Sequence, residues 1–178
     1  MLALCDELQY NKSMKQYKTC CVIGHREFSP SFEEKEKLES LFENLISNCL
    51  VETFYFGGHG EFDNFCYDII TEKKKKYPYI TRVYVTEDYR DIRNVARRVR
   101  FYDFYEEVEY FPLKNDYWMK RLYFRNIEMI DNSDFVIFYT NANKSSGSYK
   151  AYKHAEKKKM KFDTKVSEIS KIILAFRD

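Results

Sequence analysis

Glycine is scarce in this chain, five in 178 residues, and every one follows an apolar run that reads as a buried strand. Gly24 closes Cys20-Cys21-Val22-Ile23; Gly57, Gly58 and Gly60 follow Val51-Glu52-Thr53-Phe54-Tyr55-Phe56; Gly147 lies beyond Phe135-Val136-Ile137-Phe138-Tyr139. Glycine serves where φ must be positive or where the backbone must come close to something. In open α/β sheets ligands bind outside the carboxyl ends of the strands. Glycines confined to those ends therefore point to a sheet alternating with helices and to a ligand crevice along one edge.

Period and punctuation fill in the elements. Strands are predicted over 18–23, 51–56, 80–86, 134–140 and 169–176. A first helix starts after Ser29-Pro30-Ser31, with Ser31 as N-cap and Glu34 completing a capping box, and runs to about Asn48. Its apolar face is Phe32, Leu38, Leu41, Phe42, Leu45 and Ile46. A second carries Phe62, Phe65, Cys66, Ile69 and Ile70 and ends before Pro78. Further helices span 115–131, with Trp118, Leu122, Ile127 and Ile130, and about 148–159. Residues 87–112 read as an amphipathic helix, commonly just a solvated face, or as a mobile lid. Residues 1–17 form a tail or surface helix ahead of a single domain over 18–178. Strands alternating with helices give an α/β, Rossmann-like fold: a mostly parallel sheet of about five strands with helices on both faces.

Composition narrows the setting. No apolar run approaches a membrane span, and the first residues lack the parts of a signal peptide, so a cytoplasmic protein without membrane contact is expected. Cys20 and Cys21 point to opposite faces of a strand, and Cys5, Cys49 and Cys66 are scattered, which suits small buried hydrophobes and no metal. The net charge of +2 does not call for nucleic acid. Lys73–Lys76 and Lys157–Lys159 fall at helix C-termini, where cations complement the dipole.

If the first and fourth predicted strands are neighbours where the winding reverses, the loops after both face one crevice, with the second loop beside them. Those loops hold His25, Arg26, Gly57, Gly58, His59, Gly60, Glu61, Asp63, Ser145, Ser146, Gly147 and Ser148. Glycine turns entering helices expose N–H groups and add the positive end of the dipole, so phosphate or carboxylate is welcome there. Arg26 offers a bidentate partner and the serines offer hydroxyls. Each element also has a plain use: a tight turn, a helix entry, or a surface ion pair between Arg26 and Glu27.

Thr19-Cys20-Cys21-Val22-Ile23-Gly24-His25-Arg26, with Phe56-Gly57-Gly58-His59-Gly60-Glu61-Phe62-Asp63, resembles the YpsA-like branch of the SLOG superfamily. Arg125-Asn126 on the helix before the fourth predicted strand, and the Ser-Ser-Gly-Ser loop after it, continue the likeness over residues 18–159. The resemblance implies a nucleotide-derived small-molecule ligand, such as ADP-ribose or a cyclic relative, and a possible homodimer; no cofactor is implied. It places Gly24, His25 and Arg26 on a first ligand loop and Gly57, Gly58, Gly60 and Asp63 on a second. Arg125 and Asn126 match the family's Arg-Asn, and Ser146–Ser148 the phosphate loop. One departure matters. LOG-type hydrolases of this superfamily carry Pro-Gly-Gly-x-Gly-Thr-x-x-Glu; here Phe56, Glu61 and Asn64 replace the proline, threonine and glutamate.

Three functions follow from this likeness. The first is a sensor or sequestering module in which Arg26 and the serine loop take phosphates and Asp63 takes ribose or caps a helix. The second is a nucleotide N-glycosidase with Asp63 or Glu61 as the carboxylate and Arg125 on the phosphate. The third is a DNA-handling protein like DprA, which lacks a basic stripe here.

Overall fold

Apolar residues fill both parities of the central strands, so each strand must be covered on both faces. The computed structural model describes residues 19–112, 120–140, 145–162 and 171–177. The expected tail or surface helix at 1–17, Cys5, Trp118 with the start of its helix, the loop residues Asn143 and Lys144, and residues 169 and 170 of the last predicted strand lie outside the described residues.

The strands are β1 (Thr19–Ile23), β2 (Thr53–Phe56), β3 (Thr81–Val85), β4 (Glu107–Glu109), β5 (Phe135–Thr140), β6 (Lys161–Phe162) and β7 (Lys171–Phe176). They form one sheet in the order β4-β3-β2-β1-β5-β7-β6. Pairing is parallel from β4 through to β5 and antiparallel where β7 meets β5 and β6. The sheet is thus mixed and mostly parallel, with seven strands where about five were expected. The two extra strands are Glu-Val-Glu and Lys-Phe, too short and too charged to announce themselves as apolar runs.

The helices are α1 (Phe32–Ser47), α2 (Glu61–Lys76), α3 (Tyr89–Arg93), α4 (Val95–Val99), α5 (Arg121–Asp131) and α6 (Gly147–Lys157). Cys20, Val22, Phe54, Phe56, Phe135 and Ile137 pack with the apolar faces of α1 and α2. Cys21, Ile23, Tyr55, Val136 and Phe138 pack with α5 and α6 on the other side. Cys20 and Cys21 do lie on opposite faces, both fully buried. Parallel crossovers keep one hand, so winding outward from β1 to β3 and then back through β5 puts helices on opposite faces. The reversal falls between β1 and β5, which are parallel neighbours.

Local rules explain most of the helix ends. Ser31 accepts from Glu34 N, and Glu34 reaches back to Ser31 N at 2.8 Å, closing the capping box. Lys73–Lys76 occupy the last turn of α2. Two face assignments fail: Phe32 and Leu122 are exposed, because each sits at the first turn of its helix, beyond the edge of the sheet-facing stripe.

Residues 87–112 are not one helix. Asn94 ends α3 in an extended conformation and caps α4 by accepting from Arg97 N at 3.2 Å. Asparagine bonding of this kind competes with a continuous helix. Val95 and Val99 consequently stay exposed, and β4 follows to close the sheet edge. Among the described residues no helix is long and apolar enough to cross a membrane.

Candidate functional site

The loop after β1 starts at Gly24 because the Phe62 ring of α2 occupies the space a Cβ would need. His25 then lies edge-on to Tyr139 of β5, and its Nε2 is 3.3 Å from Ser148 Oγ. Ser148 is buried and also lies 3.1 Å from Thr140 Oγ1, so the loops after β1 and β5 are joined by hydrogen bonds. Burial holds the His25 ring below its ordinary pKa, which favours the neutral imidazole as a hydrogen-bonding group.

The second loop is tied to the first through backbone. Glu61 N donates to Arg26 O at 2.7 Å, and Glu61 Oε2 accepts from Phe28 N at 2.8 Å. Gly60 has φ +102, and a Cβ there would stand 2.9 Å from Arg26 Cα and 3.0 Å from His25 O. Within the loop, Asp63 turns back onto its own turn: Oδ1 accepts from Gly57 N at 3.2 Å and Oδ2 from Gly58 N at 2.8 Å. The two amides expected to face an anion from outside are held by an anion from inside.

Arg125 closes the third side. Its Nη1 donates to Gly57 O at 2.9 Å and to Glu87 Oε2 at 3.1 Å, and its Nη2 donates to Asn126 Oδ1 at 3.0 Å. A Cβ on Gly57 would collide with this guanidinium. His59 lies 3.6 Å from Glu87 on the outer side. Glu87 was not among the expected site residues, although it follows β3 directly and the strand-end rule alone could have flagged it; Thr140 and Tyr139, at the end of β5, were missed the same way. No family model matches this chain, and no curated protein does.

At four of the five glycines the protein's own atoms fill the place of a Cβ: Phe62 at Gly24, Arg125 at Gly57, Tyr84 at Gly58 (where φ is +67) and the Arg26 backbone at Gly60. Gly147 differs, with nothing within 4 Å of where its Cβ would stand. It is the first residue of α6. Ser146 caps that helix by accepting from Tyr149 N at 3.1 Å, leaving Gly147 and Ser148 N–H without intrahelical acceptors. No acidic residue lies in the first turn of α6. Ser145 is exposed beside it. In the first loop, next to His25, Arg26 is exposed, and its guanidinium has no partner among the described residues. The dipole, the amides and Arg26 all favour negative charge.

The carboxylates have structural duties. Asp63 is 5% exposed, and both oxygens are engaged. Burial outweighs the two amide bonds and lifts it from 3.8 to about 6. Burial also acts on Glu87, but there the His59 contact and the Arg125 charge prevail and bring it from 4.5 down to about 2. The signs are opposite. Glu87 adds stability that is complete above pH 4.5 and is lost as pH falls towards 2; Asp63 favours the folded state below pH 3.8 and loses that contribution as pH rises through 6. Asp63→Asn is therefore expected to flatten the decline in urea midpoint between pH 4 and pH 6 while keeping the acid limb. An unchanged slope over that interval would remove Asp63 as its source.

Proposed function

We propose that this chain is a Rossmann-like binding protein of the SLOG type, YpsA-like branch. It holds a nucleotide-derived ligand such as ADP-ribose or a cyclic relative and acts as a sensor or a sequestering module. The ligand's phosphate sits on the Gly147 and Ser148 amides at the head of α6, with Arg26 as its cationic partner and His25 and Ser148 at the crevice floor. The observation that carries this reading is Gly147, whose open flank lies on a helix start that Ser148 links to His25. Binding is favoured over N-glycoside hydrolysis because Asp63 and Glu61 both accept backbone N–H bonds that hold the turns.

Gly147→Asp tests it. A carboxylate in the first turn of α6 complements the dipole, so the unliganded melting point is expected to stay or rise. The same carboxylate occupies the anion position. Wild type should be stabilised by at least one of AMP, ADP-ribose, cyclic ADP-ribose and NAD, and Gly147→Asp and Arg26→Ala should lose that shift. A shift retained in both variants would remove the α6 start as the phosphate site. Free base appearing on chromatography after incubation would favour the hydrolase instead.

A further inference from the structure

A second concave surface runs from the first turn of α6 down the face that α6 and α5 turn away from the sheet. Its volume is about 260 Å³, and it is lined by Tyr123, Tyr149, Lys150, Lys153, His154 and Lys157. Five of the six come from one face of α6. Lysines on a helix commonly need no explanation beyond solvation, but these are unevenly satisfied. His154 Nε2 lies 2.7 Å from Asp131, which also takes Lys158 at 3.2 Å, and Lys153 pairs with Glu156. Lys150 and Lys157 have no carboxylate partner among the described residues. Lys157 suits the helix C-terminus, whereas Lys150 sits in the first turn, where the dipole opposes a cation. Helix stability gives no reason for a lysine there.

Seven residues of α-helix separate the backbones of Lys150 and Lys157 by about 10 Å along the axis. Tyr123 and Tyr149 stand at the Lys150 end as half-buried rings. A basic track beside aromatic platforms is the chemistry that holds phosphates while bases stack. The formal net charge of +2 hides this cluster because acidic residues elsewhere balance it.

We propose that the α5–α6 groove binds a ligand whose phosphates are held by Lys150 and Lys157 and whose aromatic base stacks on Tyr123 or Tyr149. A free dinucleotide and a stretch of single-stranded nucleic acid share that chemistry. The groove adjoins the crevice at the head of α6 but is built on the opposite side of that helix from its buried residues Ser148, Ala151, Tyr152 and Ala155.

The test measures fluorescence anisotropy on the full chain with two probes, a labelled diadenosine dinucleotide and a short labelled oligothymidylate. Lys150→Glu/Lys157→Glu is expected to weaken at least one probe by about tenfold or more, with an unchanged melting point and a shallower salt dependence. Arg26→Ala, which removes the crevice's cation from a different loop, should leave that probe's affinity intact, which separates this groove from the strand-end crevice. Loss of the dinucleotide identifies the free ligand, and loss of the oligothymidylate alone identifies the strand. Neither probe weakened by the double substitution, or both weakened equally by Arg26→Ala, would overturn the proposal.

Discussion

Gly60→Ala is expected to destabilise the fold by about 2–4 kcal/mol, read as a lower urea midpoint at unchanged slope. Two costs add. At φ +102 and ψ 161 the backbone is in a region that is essentially reserved for glycine. The new methyl would also meet Arg26 Cα at 2.9 Å and His25 O at 3.0 Å, and backbone atoms cannot swing aside as a side-chain tip can. Relief requires the first loop to lift from the second, which threatens the 2.7 Å bond from Glu61 N to Arg26 O. A midpoint within experimental error of wild type would mean that the two loops are not clamped together as described.

Arg125→Ala should cost about 3 kcal/mol. The side chain is 4% exposed, and its loss strands two groups at once: Gly57 O loses a donor and the half-buried Glu87 loses its cation. Removing one partner of a buried pair is worse than removing both, because a charge is left behind. Adding Glu87→Gln to Arg125→Ala should therefore restore part of the midpoint. If the double variant is as unstable as the sum of the singles, Arg125 acts by packing alone.

Much of the architecture was legible because it rests on short-range rules. Ser31 and Glu34 announce their capping box within four residues, and the two parities of Cys20 to Ile23 announce a strand covered on both sides. The neighbourhood of β1 and β5 entered the reading as a condition for a shared crevice, and their parallel pairing meets it. The miscounted strands had no such signal, since β4 and β6 exist only through their partners, β3 and β7. Residues 87–112 misled for a related reason: Ile92, Val95 and Val99 keep helical spacing, but Asn94 interrupts the helix they suggest. Within the site, the strand-end rule collected residues that do meet, His25 with Ser148 and Arg26 with Gly60 and Glu61. It could not say which glycine has a neighbour. Only three-dimensional placement separates Gly147 from the other four.

The inward-turned Asp63 has a consequence for how the crevice behaves when empty. A glycine turn whose amides wait for a phosphate gains order on meeting it, and that ordering subtracts from affinity. Here the Asp63 side chain already occupies those amides, so the second loop is ordered by the chain's own carboxylate. If the proposed ligand binds, the Gly57 and Gly58 amides are already taken, and its recognition falls to the open flank at α6.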